Sequence, residues 1–303
     1  MSIKSRHIHL PIAGLSLHVV EAGDPRGRPL LFLHGWPESW RTWEGVMGVA
    51  AADARIIAID LPGIGESVGA VPGGSKLHLA GVVHELVRHL ELTELTLVGH
   101  DAGGMIAYAY LRRYDDVARV VIMNTVIPGV APWNDVLANP YIWHFGFHAV
   151  SGLPETLVQG HQAGYFDYFY DVLSVDPARI TPKMRQAHAA AYGGDAALTA
   201  GFDLYRAFAQ DARDNVAFAE AGPVGTPLLY LRGEGEGGDI TTYAQGFRES
   251  GIRHLTTALV SDAGHFAQEE APDQVWKLIR DFAARGLPGD GVGRAPGLDL
   301  DRG

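Results

Sequence analysis

Cysteine is absent from the 303 residues of this chain, and so are several features that mark particular classes of protein. Without cysteine there is no disulfide, no thiolate nucleophile and no cysteine-ligated metal. No apolar run approaches the ~20 residues that a membrane-spanning helix needs. The amino-terminal stretch also lacks the continuous apolar segment of a secretory signal. These absences predict a cytoplasmic protein with no membrane partner.

Positive charge is scarce. The chain has 24 Lys and Arg against 35 Asp and Glu, a net charge of −11 that argues against nucleic acid as a partner. No group of side chains has metal-ligand spacing, and the Gly-rich stretch 233–238 lacks the Lys-Ser/Thr pair of a phosphate loop. The sequence therefore predicts no metal and no cofactor. It leaves open whether the chain is a monomer or a homodimer.

What the chain does have is a regular alternation of short apolar runs with helical patterns. Apolar runs bounded by glycine, proline or aspartate are typical of strands in a buried sheet. Their alternation with helices predicts a mostly parallel sheet with helices on both faces. The predicted strands are Arg6–Pro11, Leu15–Glu21, Pro29–Leu33, Ala54–Asp60, Leu95–Val98, Val117–Asn124, Thr226–Arg232 and Leu255–Val260. The predicted helices are Ser39–Ala52, Ser75–Glu91, Gly104–Tyr114, Ile240–Ser250 and Ala271–Arg285.

This alternation stops at Asn124 and resumes at Thr226. The interval between them is helix-like and rich in aromatic side chains. It predicts a helical cap that is inserted into the α/β core and excludes water from a site beneath it. We therefore expect a first core segment at 1–129, the cap at 130–222 and a second core segment at 223–286. The Gly- and Pro-rich tail at 287–303 is expected to be flexible.

The segment Gly99-His100-Asp101-Ala102-Gly103 lies between a predicted strand and a predicted helix. Its spacing matches the G-x-S-x-G nucleophile elbow, with aspartate in place of serine. Asp101 is therefore the predicted nucleophile, and the alternative is that it only caps the following helix. A carboxylate that attacks a saturated carbon forms an ester, which water can cleave. A serine would form an ether, which water cleaves poorly, so aspartate suits attack on such a carbon.

The stretch Ala263-Gly264-His265-Phe266 follows the last predicted strand, where hydrolases with this elbow carry their histidine. His265 is therefore the predicted base that activates water. The histidine needs an orienting carboxylate, which in these hydrolases lies between nucleophile and base in the chain. The loop after strand Thr226–Arg232 offers Glu236, with Asp239 and Glu234 as alternatives.

With these residues in this order, the chain resembles the α/β-hydrolase fold from about Ile8 to Arg285. The resemblance implies an eight-stranded, mostly parallel sheet flanked by helices, with an inserted helical cap. It is specific to the Asp-nucleophile branch of epoxide hydrolases and haloalkane dehalogenases. The stretch Leu33-His34-Gly35-Trp36-Pro37-Glu38-Ser39-Trp40 is similar to the H-G-x-P motif of epoxide hydrolases. That motif implies an oxyanion hole formed by the main-chain N–H groups of Trp36 and Ala102, and a cis peptide before Pro37.

Two cap motifs, Trp143-His144-Phe145 and Phe202-Asp203-Leu204-Tyr205-Arg206, resemble those of a bacterial subgroup of epoxide hydrolases. The resemblance implies that His144 and Tyr205 bind the epoxide oxygen and donate a proton to it. Tyr165 and Tyr192 are the fallback donors. The alternative is that these aromatic side chains only fill the core of the cap.

One position departs from that subgroup, which often keeps its triad glutamate at the end of the strand before the cap. This chain has Asn124 there, which favours Glu236 or Asp239 in the later loop as the acid.

The expected reaction is hydrolysis of an ether bond: an epoxide becomes a vicinal diol through an Asp101 ester. The expected partners are water and a small epoxide with apolar or aryl substituents. Haloalkane dehalogenase is the alternative. Dehalogenases of this fold commonly place Trp directly after the nucleophile, and fluoroacetate-type enzymes place Arg there. This chain has Ala102, so release of a halide is the weaker interpretation.

Overall fold

The computed structural model describes residues 4–69 and 73–286, so the predicted tail at 287–303 lies outside the described residues. Its strands form one eight-stranded sheet. They are β1 (Arg6–Ile12), β2 (Leu15–Gly23), β3 (Pro29–Leu33), β4 (Arg55–Ile59), β5 (Thr96–His100), β6 (Arg119–Met123), β7 (Leu228–Gly233) and β8 (Leu255–Val260).

The sheet has the order β1-β2-β4-β3-β5-β6-β7-β8. Strand β2 pairs antiparallel with β1 and β4, and every other neighbouring pair is parallel. This topology confirms the predicted fold class, a mostly parallel sheet of eight strands. Because β5 to β8 run in the same direction, their carboxyl ends meet at one edge, and residues just beyond them can share a site.

The helices that flank the sheet are α1 (Glu44–Ala50), α2 (Lys76–His89), α3 (Ala102–Arg113), α11 (Ile240–Glu249), α12 (Ala267–Glu270) and α13 (Pro272–Ala283). The helices between β6 and β7 are α4 (Trp133–Ala138), α5 (Trp143–Ala149), α6 (Leu153–Val158), α7 (Gln162–Leu173), α8 (Pro182–Ala191), α9 (Asp195–Arg206) and α10 (Phe208–Ala221). Four short 3₁₀ helices lie at Trp40–Trp43, Pro140–Ile142, Pro177–Arg179 and Glu234–Glu236. None of the helices in the described ranges is long and apolar enough to cross a bilayer.

Four of the five predicted helices, those predicted from Ser39, Ser75, Gly104 and Ala271, differ from the observed ones at their starts. The helix predicted from Ser39 begins with the 3₁₀ turn Trp40–Trp43 before α1. The helix predicted from Ala271 begins one residue later, at Pro272, and the separate short helix α12 ends just before it. Proline lacks an N–H and clashes with the preceding turn, so α12 cannot continue through Pro272, although proline suits the first turn of α13.

The apolar side chains of the strands alternate between two cores, as the pleat of a strand requires. On β4, Ile57 and Ile59 belong to the core that contains residues of α2 and α3. Ile56 and Ala58 belong to the opposite core, with residues of α1 and α13. The sheet is therefore covered on both faces, which leaves its carboxyl edge as the place for a cavity.

Seven helices, α4 to α10, occupy the interval between β6 and β7, which is where the sequence predicts the cap. Buried polar contacts join them to the core. Lys76 Nζ lies 3.0 Å from Asp211 Oδ2 on α10, and both side chains are almost fully buried. The hydroxyl of Tyr170 on α7 donates to the carbonyl oxygen of Pro37 over 2.7 Å. These contacts hold the helices over the carboxyl edge of the sheet.

Candidate active site

The turn between β5 and α3 has the geometry of a nucleophile elbow. Asp101, its central residue, has φ 47° and ψ −119°, a conformation that non-glycine residues rarely adopt. A Cβ on Gly99 would lie 2.1 Å from the carbonyl oxygen of Gly103, and one on Gly103 would lie 2.4 Å from that of Leu33. Only glycine fits at these two positions, so the motif spacing follows from steric exclusion around the turn.

The carboxylate of Asp101 faces the loop that follows β3. The main-chain N–H of Trp36 donates to Asp101 Oδ2 over 2.9 Å. A Cβ on Gly35 would come within 2.5 Å of the Asp101 Cβ, so glycine is what lets this loop approach the carboxylate. The peptide between Trp36 and Pro37 is cis, as the resemblance implies.

The alternative role of Asp101 as a helix cap is not supported by its contacts. Helix α3 begins at Ala102, two residues before the predicted start at Gly104, and Asp101 occupies its N-cap position. Its side chain accepts no capping hydrogen bond from the helix. Its carboxylate is therefore available to a ligand beside Trp36, while Ala102 is buried at the first turn of α3.

His265 and Glu236 form a hydrogen-bonded pair close to the elbow. His265 Nδ1 lies 2.7 Å from Glu236 Oε1. Asp239 is exposed and instead accepts a hydrogen bond from the N–H of Thr241 over 2.9 Å, which caps α11. Glu234 is also exposed. Of the three candidate acids, the geometry brings Glu236 to the histidine and leaves the other two apart.

The environment of Glu236 keeps it ionised. Burial raises the pKa of its carboxyl, but the charge of Arg232 and the hydrogen bonds from His265 and Asn124 lower it to about 2. With Nδ1 of His265 facing a carboxylate, that nitrogen carries the proton in the neutral ring, and Nε2 has the lone pair. The pair can therefore accept a proton at Nε2 and hold the resulting charge.

A cavity of about 270 Å³ connects these residues with the helices between β6 and β7. Asp101, Glu236 and His265 line it from the side of the sheet, and His144 on α5 and Tyr205 on α9 line it from the helices between β6 and β7. Much of the remaining wall is apolar and is formed by Met105, Val126, Val136, Ile142, Trp143, Phe145, Phe169, Val172, Leu173 and Phe266. The predicted cap pair thus shares one cavity with the predicted nucleophile and base.

The two fallback tyrosines lie elsewhere. The hydroxyl of Tyr165 is 2.7 Å from Nε2 of His148, and Tyr192 is fully buried. Neither belongs to the lining of the cavity that contains Asp101.

His144 and Tyr205 both present hydrogen-bond donors at neutral pH. Burial, and then the nearby His265, lower the pKa of His144 to about 3, so its ring is neutral. Burial, and then the charge of Asp101, raise the pKa of Tyr205 well above its usual value. Among residues 4–69 and 73–286, neither side chain has a protein hydrogen-bond partner. Both are therefore free to bind a ligand oxygen.

Asn124 contributes to the site in a way that sequence reasoning missed. Its Nδ2 donates to Glu236 Oε2 over 2.8 Å and to the carbonyl oxygen of Gly264 over 3.1 Å. The amide thus joins the acid to the loop that carries His265. The sequence showed only that asparagine replaces a glutamate there, because the register between β6 and the later loops is a property of the folded sheet.

A second missed feature is a buried histidine–carboxylate pair behind the elbow. His100 Nδ1 lies 2.8 Å from Glu38 Oε2, and His100 Nε2 lies 2.8 Å from the carbonyl oxygen of His265. The same Glu38 oxygen accepts the N–H of Gly35 over 3.0 Å. The pair therefore connects the loop of Trp36, the elbow and the loop of His265. Glu38 and His100 both lie in motifs that the sequence analysis identified. They are 62 positions apart in the chain, so the sequence did not show that they are in contact.

Within the described ranges, no group of three or more side chains is arranged to hold a metal ion. The polar side chains that line the cavity include two carboxylates, two histidines, several tyrosines, Asn124 and Arg232. This is a set suited to nucleophilic attack and proton transfer.

Comparisons with known proteins agree with this architecture. A family model described as alpha/beta hydrolase fold matches residues 28–272. The soluble epoxide hydrolase of Corynebacterium sp. (strain C12) is 29% identical over 292 residues, which cover 94% of this chain and 99% of that protein. The crystal structure of Cfl2 wild-type from Burkholderia cenocepacia has a TM-score of 0.84 and 30% identity, over 92% of this chain and 95% of that one. The structure of epoxide hydrolase CorEH without ligand has a TM-score of 0.82 and 25% identity, over 92% and 98%.

Proposed function

The chain belongs to the α/β-hydrolase fold family, and we propose that within it the protein is an epoxide hydrolase that converts an epoxide to a vicinal diol. The observation that carries this proposal is the hydrogen bond of 2.9 Å from the Trp36 N–H to Oδ2 of Asp101. A serine hydrolase directs such a donor at the carbonyl of its substrate. Here the donor faces a carboxylate at the elbow, as an enzyme that hydrolyses its own aspartyl ester requires.

The first step is attack by Asp101 on one carbon of the epoxide ring. Because Oδ2 is held by Trp36, the other oxygen, Oδ1, is the attacking atom. The new C–O bond makes an ester, and the carbon–oxygen bond of the ring breaks with its electron pair moving to the ring oxygen. His144 and Tyr205 bind that oxygen and supply the proton that it takes up. Their donors face the same cavity as Asp101.

The second step is hydrolysis of the ester. His265 Nε2 removes a proton from a water molecule as the water attacks the carbonyl carbon of Asp101. Glu236 holds the ring through Nδ1 and stabilises the imidazolium. The negative charge that develops on Oδ2 is stabilised by the N–H groups of Trp36 and Ala102. The bond between Cγ and Oδ1 of Asp101 then breaks and the imidazolium of His265 gives its proton to Oδ1, so the diol leaves with an oxygen atom that came from Asp101.

The cap and the cavity support a substrate with apolar or aryl substituents. We assign residues 130–222 as the cap, which closes the cavity from above and contributes both donors to the epoxide oxygen. The wall of the cavity is largely aliphatic and aromatic. Within the described ranges, no Lys or Arg of the cap is among its lining residues, and the lining residue His144 is neutral. Apolar surface of this kind favours burial of hydrocarbon over charged groups.

Single-turnover hydrolysis in ¹⁸O-labelled water tests the proposal. With enzyme in excess over a styrene-type epoxide, the label should enter the side chain of Asp101, and the diol of the first turnover should carry none. Peptide mass spectrometry locates the label in the protein. Label in the first-turnover diol, with none in Asp101, would mean that water attacks the epoxide directly and would refute the ester pathway.

The competing activity within this fold is halide release from a haloalkane. A departing halide needs indole or amide N–H donors in the cavity. The residue after the nucleophile is Ala102, whose side chain offers no such donor. A panel of chloro- and bromoalkanes measured beside the epoxide panel separates the two activities: halide release without diol formation would favour the dehalogenase.

A further inference from the structure

Arg232, the fifth residue of β7, contacts the acid of the candidate triad from the side opposite to the histidine. Its Nη1 lies 3.2 Å from Glu236 Oε2, whereas His265 Nδ1 lies 2.7 Å from Glu236 Oε1. The Arg232 side chain is only 8% exposed and that of Glu236 12%. One carboxylate is thus shared between a guanidinium and an imidazole in a largely buried environment, where charges interact more strongly than in water.

The guanidinium is held in place by three further contacts. Arg232 Nε donates to the carbonyl oxygen of Gly237 over 2.9 Å, and Nη1 donates to the hydroxyl of Tyr230 over 3.2 Å. The guanidinium carbon also lies 4.3 Å from the centre of the Tyr243 ring, a cation–π contact. An arginine with this many partners does not exchange between conformers as a surface arginine does, so its charge stays beside Glu236.

We propose that Arg232 is a positioning residue that fixes the carboxylate of Glu236 and offsets part of its charge, so that His265 remains a neutral base at lower pH. The effect of Arg232 on catalysis rests on the proposed function. Its electrostatic effect on the imidazole of His265 does not, because that effect can be measured without a substrate. A carboxylate beside a histidine stabilises the protonated ring. A cation on the other oxygen of that carboxylate weakens this stabilisation, and it also repels the imidazolium directly.

Other titratable groups face the same histidine and remain unchanged when Arg232 is replaced. The ring of His100 on β5 lies 4.9 Å from that of His265, and its Nε2 bonds the His265 carbonyl oxygen over 2.8 Å. Glu270 on α12 accepts the N–H of Gly264 over 2.8 Å. The remaining titratable groups that line the cavity are Asp101 after β5, Tyr141, His144 on α5, Tyr168 on α7, Tyr205 on α9 and Tyr243 on α11, and Tyr230 on β7 lies behind them against Arg232. Replacing Arg232 thus isolates the contribution of one cation.

The experiment is an NMR titration of the imidazole resonances in the full-length protein without substrate. The chain has 14 histidines, so the resonance of His265 is assigned by its loss in the His265→Gln variant. Arg232→Met removes the charge and keeps much of the aliphatic stem. Arg232→Lys keeps the positive charge but replaces the planar guanidinium with an ammonium group. Arg55→Met is the control for the change in net charge. Arg55 lies on β4, away from the site, and its Nη2 is 3.1 Å from Glu21 Oε1.

The proposal predicts that the titration midpoint of His265 rises by about one pH unit in Arg232→Met, the lower end of the effect of a charge at this range. In Arg232→Lys and Arg55→Met the midpoint should stay near that of the wild type. If Arg232→Met does not fold, Arg232→Gln carries the same prediction. An unchanged midpoint in the neutral variant, or an equal rise in Arg232→Lys, would overturn the proposal.

The pH dependence of epoxide turnover, measured on the same proteins, separates this inference from the proposed function. The acid limb of kcat should move to higher pH in Arg232→Met by the same amount as the NMR midpoint. A uniform loss of rate at every pH with no shift would mean that Arg232 is only structural. A shifted imidazole in a protein that hydrolyses no epoxide would refute the proposed function and leave the role of Arg232 intact.

Discussion

The main-chain N–H of Trp36 donates a hydrogen bond to Oδ2 of Asp101 over 2.9 Å. In the proposed mechanism this contact fixes which oxygen attacks and which becomes the oxyanion. It exists because Gly35 carries no Cβ and because the elbow turns the carboxylate away from α3. The geometry around these residues supports a series of separate predictions.

The cap donors are tested by removing each hydrogen-bonding group. The double variant His144→Phe/Tyr205→Phe should lose about 10²–10⁴-fold in the rate of ester formation, because the ring oxygen would leave without a proton. Either single variant should lose less, since one donor remains. Stopped-flow measurement of the first step checks this.

Tyr165→Phe is the matched control for the donors, because the hydroxyl of Tyr165 is directed at His148 and lies outside the cavity lining. It should react at nearly the wild-type rate. A loss in Tyr165→Phe as large as that in Tyr205→Phe would show that the wrong tyrosine had been assigned.

The identity of the acid is tested by a pair of variants in one loop. Glu236→Gln should slow hydrolysis of the ester by about 10⁴-fold, the effect of losing the carboxylate that orients a catalytic histidine. Asp239→Asn should leave hydrolysis unchanged, because Asp239 caps α11 over 2.9 Å and does not face His265. Single-turnover rates of product release distinguish the two residues. Slow hydrolysis in Asp239→Asn with normal hydrolysis in Glu236→Gln would reverse the assignment.

The buried pair of His100 and Glu38 should contribute to stability. Glu38→Gln should lower the free energy of unfolding by about 3–5 kcal/mol, because it leaves a buried imidazolium without its carboxylate. The double variant Glu38→Gln/His100→Gln should be less destabilised than Glu38→Gln. Urea denaturation measures both values. Equal losses in the two variants would mean that packing, and not charge, accounts for the effect.

This contribution should also depend on pH. Burial lowers the pKa of His100, but the charge and hydrogen bond of Glu38 outweigh it and raise the pKa from 6.5 to about 9. Burial raises the pKa of Glu38, but His100 and Thr42 lower it from 4.5 to about 2. The His100 contribution is complete below pH 6.5 and is lost as the pH rises through about 9. The Glu38 contribution is complete above pH 4.5 and is lost as the pH falls through about 2.

The stability difference between wild type and Glu38→Gln should therefore be largest between pH 4.5 and 6.5 and smaller at pH 9. Urea denaturation repeated across this range provides the test. A difference that grows from pH 6.5 to pH 9 would contradict the sign of the His100 shift.

Much of the fold could be predicted because the signals were local. Strands β3 and β8 have the predicted bounds, since each is an apolar run ended by a turn signal. The elbow could be predicted because its five-residue spacing is local, although only Gly99 is required by a near neighbour, Gly103, whereas Gly103 is required by the distant Leu33. Helix α12 was not predicted, because a helix of four residues is too short to show a helical period in the sequence.

Only some of the site residues and their contacts could be predicted from the sequence, for a related reason. The sequence favoured Glu236 as the acid but left Asp239 and Glu234 as alternatives, because all three lie in one Gly-rich loop and only the fold brings one of them to His265. The contacts of Arg232 and Asn124 with Glu236 depend on how β6 and β7 pair and on the course of the loop after β7. Such contacts join residues that no periodic pattern relates.

The most direct test of the account is the mass of the His265→Gln variant after mixing with saturating epoxide. Loss of the base should stop the second step only, so the ester should accumulate. Intact-protein mass spectrometry should show an increase equal to the whole epoxide, peptide mapping should locate it on Asp101, and Asp101→Asn should show no adduct and no turnover. A His265→Gln protein that carries no adduct under these conditions, or one modified at another residue, would contradict the claim that Asp101 forms a covalent intermediate.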